Sequence, residues 1–287
     1  MEFTLSTHLL VYDELGSKAL EALSGSGYAK LEVWLAEPHV PWRSAEGLSD
    51  FRRRLEDYGL SAGSVHLPFY PSVPELVEEN ARWSLIADTA AARRTALDGS
   101  AEGLMAAGAL GAECGVLHLG WQKDVWNDHT HGWAREAVAE LIAVARKAGV
   151  RLLLENIISS GTRVRRLMEL LDEVDPDHEV GLCLDLGHAH VEGHVVEELQ
   201  AALPRLHHLH VHDNDGCNDS HLAPGQGTIP WTEVLQTLHS SGFDGLAALE
   251  MRDYSRGEQD CATTLRRSLD QVTDFRQRFL KETLPLA

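Results

Sequence analysis

The sequence predicts an α/β fold, a TIM (β/α)8 barrel built by a single domain over residues 1–287. Three observations carry that expectation. Short apolar runs alternate with amphipathic helical stretches eight times along the chain. Several runs are almost continuously apolar, as parallel strands covered on both faces must be. Polar side chains gather at the C-terminal ends of the third to eighth runs, the rim where such a barrel keeps its working groups. A doubly wound open sheet, the rival architecture, would concentrate its site at one switch point.

The expected strands are 3–10, 29–35, 63–67, 115–119, 151–157, 180–186, 206–212 and 245–251. Helical stretches between them include 133–148, 165–174 and 231–241. Glycines mark the helix stops: Gly149 in ARKAGV, Gly242 in HSSGFDG, and Gly27 and Gly59 at earlier junctions. The long stretch 71–110 between the third and fourth strands reads as two helical pieces, the first carrying a side chain or two over the barrel mouth.

The apolar fraction of 44% is ordinary for a globular chain, and no Ser/Gly-rich, Pro-rich or like-charge tract interrupts the pattern. Forty-four acids against 25 bases give a net charge of −19, a poor surface for collecting polyanions, so a nucleic-acid partner is disfavoured. Cys114, Cys183, Cys217 and Cys261 lack CxxC spacing and are expected to be reduced core or loop thiols. No basic segment followed by an apolar stretch opens the chain, and no apolar run approaches ~20 residues, so neither a signal peptide nor a membrane span is expected. These readings point to a cytoplasmic protein.

Nine metal-type side chains cluster at the ends of the strand-like runs. His66 closes GSVHLP, His118 closes GVLHLG and Glu155 closes RLLLENI. Asp185 and His188 close VGLCLDLGH, His210 sits in LHHLHVHD, Asp219 and His221 follow in NDSHLAPGQG, and Glu250 closes GLAALEM. Inward-pointing side chains nearest the C-terminal strand ends reach the mouth of a barrel. Six neighbouring strands therefore aim His66, His118, Glu155, Asp185, His210 and Glu250 at one centre. Carboxylates packed that closely repel, and a divalent cation removes the penalty. Mixed carboxylate and imidazole ligation suits Mn²⁺, Fe²⁺, Co²⁺ or Zn²⁺ better than Mg²⁺ or Ca²⁺. Of the four histidines in LHHLHVHD, one is expected to bind metal, with the others facing the helices, backing the ligands or lying at the rim. His8, His39, His129, His131, His178, His190, His194 and His239 read as structural or surface residues.

The motifs GSVHLP, LLLEN, GLCLDLGHAH, HLHVHDNDG, DSHLAPGQGTIPW and ALEM together resemble the xylose isomerase-like TIM barrel superfamily, which holds sugar isomerases and epimerases, inosose dehydratases and the endonuclease IV group. The resemblance implies two overlapping patterns. In the isomerase and epimerase branch, Glu155, Asp185, His210 and Glu250 would hold one metal. The two glutamates would also act as acid and base, and His188 would touch the substrate. In the endonuclease IV-like branch those four positions would join His66, His118, His188, Asp219 and His221 around three metals. The chain departs from the endonuclease pattern where Glu155 runs into NIISSGTRV rather than a Gly-rich turn. It also lacks an Arg/Lys-rich loop with aromatic wedges. It departs from some epimerases in having NDGCNDSH where a substrate-binding Arg follows the strand-seven His.

The expectation is thus a metal-dependent isomerase or epimerase of a small sugar or sugar derivative, with one metal site and up to three. Its alternative is a three-metal phosphodiesterase or nuclease. Trp34, Phe69, Tyr70 and Trp121 are candidates for an apolar wall against a sugar face. A homodimer is suggested only by analogy with other barrels of this kind.

Overall fold

A computed structural model describes residues 1–280, and residues 281–287 lie outside the described region. Eight parallel strands close into a barrel in sequence order: β1 (Glu2–Ser6), β2 (Lys30–Trp34), β3 (Ser61–His66), β4 (Cys114–Leu117), β5 (Arg151–Glu155), β6 (Gly181–Asp185), β7 (Leu206–Val211) and β8 (Leu246–Leu249). Pairing of β1 with β8, from Glu2 opposite Leu246 to Leu5 opposite Leu249, seals the cylinder. The expected barrel is therefore present, and helices connect the successive strands around it.

The first strand is shorter than the apolar run 3–10 implies. It stops at Ser6, whose hydroxyl caps a 3₁₀ turn over Thr7–Leu10. The run stays apolar because Leu9 and Leu10 are buried in the main core, not because the strand continues. The stretch 71–110 resolves into helices Val73–Glu79 and Ala90–Leu110. Val73 of the first packs against Trp34, Phe69 and Tyr70 near the mouth. The helix expected at 133–148 begins earlier, at Asp128, because Asn127 and Thr130 form a reciprocal cap that apolar spacing does not reveal. Gly149 and Gly242 end their helices at φ 70°, a conformation that favours glycine.

Alternation along each strand builds two separate interiors. Leu31 and Val33 of β2, and Leu209 and Val211 of β7, join the large core beneath the helices. Cys114, Val116, Leu153 and Cys183 form a small cluster of their own. Glu32 and His208 are fully buried and meet across the barrel, although β2 and β7 are not neighbours, so both side chains point inward.

Candidate active site and metal centre

Strand ends supply most of the site. His66, Glu155 and Asp185 are the last residues of β3, β5 and β6; His118 and Glu250 lie one residue past β4 and β8; His210 is within β7. Register alone brings them together. Glu155 lies at the centre: its Oε2 is 2.9 Å from His118 Nε2 and 3.3 Å from His66 Nε2. Its Oε1 is 3.3 Å from His210 Nδ1 and 3.4 Å from His188 Nδ1. His210 Nδ1 in turn lies 2.7 Å from Glu250 Oε2 and 3.7 Å from Asp185 Oδ2.

The remaining members come from segments beyond the strands. His188 is on the short helix Leu186–Val191, whose first turn is capped by Asp185 accepting from the His188 N–H at 2.7 Å. Asp219 and His221 reach in from the loop after β7, with Asp219 Oδ2 3.2 Å from His221 Nε2 and 3.4 Å from His188 Nε2. His221 sits at φ 45°, a left-handed conformation uncommon for a residue with a Cβ and typical of functional positions.

Three of the rings are aimed by their other nitrogen. His66 Nδ1 bonds the Leu67 carbonyl at 3.0 Å, His188 Nδ1 the Asn156 carbonyl at 2.8 Å and His221 Nδ1 the Glu250 carbonyl at 2.8 Å. That leaves Nε2 of all three turned toward the carboxylates. Asn156 does more: its side chain accepts from the Asp185 N–H at 2.7 Å and donates to the Asp185 carbonyl at 3.0 Å, tying the end of β5 to that of β6. The loop owes its shape to Asp213, which accepts from Gly225 N–H at 2.8 Å, Ile229 N–H at 3.2 Å and Trp231 Nε1–H at 2.7 Å.

All nine residues singled out in the sequence converge. Other side chains join them. His8, read as structural, lies 3.9 Å from Glu250 and packs its ring, tilted, 4.5 Å from that of Trp34. His212 Nε2 is 3.0 Å from Asp185 Oδ2, and its ring stacks on His221 at 3.9 Å. A Cβ at Gly187 would overlap that ring, which explains the glycine. Strand alternation could have found His208 and His212, since both share the face of His210. His207 points away and bonds the Arg205 carbonyl.

The donor set fits a divalent cation. Buried His66 Nε2, His210 Nδ1, Asp219 Oδ1 and Glu250 Oε2 have no hydrogen-bond partner, and even the 2.7 Å approach of His210 to Glu250 is not aligned as one. Buried polar atoms rarely stay unsatisfied, so their convergence calls for a shared partner. Nitrogen and carboxylate oxygen donors suit a first-row transition metal or zinc.

Charge coupling accompanies the crowding. Burial opposes ionisation of Glu155, yet the imidazoles of His118 and His210 overcome it and hold its carboxyl well below the usual range. Burial likewise resists charging of Asp185 and Glu250, while His188 and His212 beside the first and His210 beside the second pull both down. His221 is pushed up to about 9, because the neighbouring Asp219 outweighs desolvation. His8 goes the other way, to about 3, since burial dominates.

A cavity of about 140 Å³ opens onto Glu155, His188, Asp219, His221 and Glu250. Trp34, Phe69 and Trp121 wall one side of it. Tyr70, the fourth expected aromatic, stands behind the wall and accepts from Trp34 Nε1–H at 2.7 Å. Larger hollows exist elsewhere on the surface, but the nine residues converge here.

Comparison with known proteins follows the same lines. A 29% identical relative over 264 residues, covering 88% of this chain and 84% of its own length, is the uncharacterized protein MJ1311 of Methanocaldococcus jannaschii. Fructoselysine 3-epimerase of Shigella flexneri is 23% identical, covering 81% of this chain and 84% of its own. The crystal structure of IOLI protein with a bound zinc atom superposes over 100% of both chains at a TM-score of 0.77 and 17% identity. The family model described as xylose isomerase-like TIM barrel matches residues 20–275, and the chain belongs to that family.

Proposed function

We propose that the protein is a divalent-metal-dependent isomerase or epimerase of a small sugar or sugar derivative. The observation that carries this reading is the placement of two buried carboxylates, Glu155 and Glu250, on either side of His210 Nδ1 at 3.3 and 2.7 Å, both bordering one cavity. Similarity to a sugar epimerase supports it. Glu155, Asp185, His210 and Glu250 would hold the cation, which when bound would polarise a substrate carbonyl and ease loss of the neighbouring proton.

The chain's own groups would do the rest. Glu155 and Glu250 remain carboxylates under ordinary conditions, as a proton-removing base must. From the ends of β5 and β8, one would take the proton beside the carbonyl and pass it to solvent, while the other, charged with a proton from solvent, would deliver it to the same carbon. His188 would orient a substrate oxygen, and Trp34, Phe69 and Trp121 would cover the sugar's apolar face while excluding water.

A second reading, a three-metal phosphodiesterase, is favoured by one arrangement. His66 and His118 share Glu155 Oε2, and His188 and His221 share Asp219 Oδ2, which makes further cation positions on either side of the first. Metal content per chain, measured on protein purified without chelators or a His tag, separates the two. About one Mn or Co, with solvent deuterium entering a ketose substrate, is the outcome expected for the isomerase. About three zinc ions, with phosphodiester cleavage and no deuterium incorporation, would replace it by the hydrolase.

A further inference from the structure

Beneath the cluster lies a carboxylate that belongs to neither reading. Glu32 is fully buried inside the barrel, and its Oε2 accepts from Ser64 Oγ at 3.0 Å, His208 Nε2 at 2.8 Å and His210 Nε2 at 3.2 Å. Burying an anion is costly, and aliphatic side chains such as Val116 and Leu153 occupy the interior at no such cost. The carboxylate must therefore do something an aliphatic group cannot. A neutral imidazole carries one ring proton, and a carboxylate is an acceptor only. In the neutral form that a metal ligand must take, Glu32 at Nε2 thus keeps the proton there and leaves the Nδ1 lone pair facing Glu155, Asp185 and Glu250.

We propose that Glu32 is a positioning residue that fixes His210 in its Nε2–H form and so presents Nδ1 as a metal ligand, with Ser64 and His208 holding the carboxylate in place. The inference rests on the metal-centre reading above. It matches a general pattern in which a carboxylate behind a ligand histidine sets ring orientation and raises basicity, and whose loss costs about 10–100-fold in metal affinity.

The test is a chelator-competition titration of metal-free protein with Zn²⁺, joined to ¹⁵N spectra of the His210 ring in the zinc-loaded form. Glu32→Ala is expected to weaken Zn²⁺ binding about 10–100-fold, whereas Ser64→Ala, which spares the contact with His210, stays within about threefold. The spectra should place zinc on Nδ1 and a hydrogen-bonded proton on Nε2. Glu32→Gln, nearly the same shape, should weaken binding and shift the His210 ring signals of the zinc-loaded form, a readout that a purely structural role would not move. Wild type and both Glu32 variants binding alike, or zinc found on Nε2, would overturn the proposal. Wild-type protein that binds no divalent metal would overturn the metal centre itself, a failure visible before any substitution is made.

Discussion

The two sides of the site are mounted differently. His66, Glu155, Asp185 and His210 belong to strands, and His118 and Glu250 follow one residue later, so the barrel's register places them. Asp219 and His221 hang from a loop, with the Asp219 side chain 25% exposed, and their position depends on hydrogen bonds to Asp213 and on a left-handed backbone at His221. Strand mounting makes geometry a by-product of folding. Loop mounting needs its own fastening, and in exchange it leaves one side of the site adjustable.

Neutralising one carboxylate on each side tells the two mountings apart. Glu155→Gln or Glu250→Gln is expected to cut turnover by about 10²–10⁴-fold with an unchanged circular dichroism spectrum, as loss of a general acid or base does. Asp219→Asn should stay within about tenfold if only the strand-mounted side performs acid–base chemistry. Steady-state rates on the same substrate decide. Equal losses on both sides would make the loop a full catalytic partner.

Next in size is the fastening. Asp213→Ala would strand four donors, those of Asn214, Gly225, Ile229 and Trp231. At about 1–3 kcal/mol per unsatisfied buried donor and about 2–4 °C per kcal/mol, Tm should fall by on the order of 10–30 °C. A thermal melt within a degree of wild type would mean that the loop holds itself.

Gly187→Ala would press a methyl group into the His212 ring and through it disturb Asp185. Overpacking of this kind costs about 1–3 kcal/mol, seen as a lower Tm and weaker metal retention together. Retention unchanged at a lower Tm would show that His212 does not steady Asp185.

The smallest effect is a pH dependence of the metal-free protein. His188, His210 and His221 all have raised values, so the stability they contribute is complete below about 6.5 and is lost as pH rises through their folded values, about 9 for His221. The carboxylates Glu155, Asp185 and Glu250 have depressed values, so their contribution survives throughout this window and fails only in acid. Melting between pH 6.5 and 9 should therefore show a Tm that falls for metal-free protein. The metal-loaded form should hold or gain, because protons no longer compete for the ligands. Parallel curves for the two forms would mean that the imidazoles are not ligands.

What could be read from the sequence follows the same division. The strand-mounted residues were legible because each ends an apolar run with an acid or imidazole, a contrast that needs no knowledge of the fold. Glu32 was not, since a charged residue inside KLEVW looks like the solvent face of an alternating strand, and only closure of the barrel turns that face inward. His212 and Asp213 sit in HLHVHD, where their roles depend on partners far along the chain: Asp185 for one, Gly225 to Trp231 for the other. Asp219 and His221 were visible as residue types, but not what fastens them. Strand limits were overdrawn at residues 7–10 because hydrophobicity reports burial, and a turn can be as buried as a strand.

The Asp213 knot also divides its loop into a part fastened by Asp213 and a part held only by the local bonds of Asn214 and Asp215. Antiparallel bonds between Asp213 and Leu222 close a small ring of chain, and the side chain of Asp213 binds the segment beyond it. Residues 215–218 at the far end of that ring are largely exposed. Insertions or exchanges there would leave the anchor intact while changing what projects beside Asp219. The protein thus carries a natural cassette, a place where new substrate contacts could be written without rewriting the barrel.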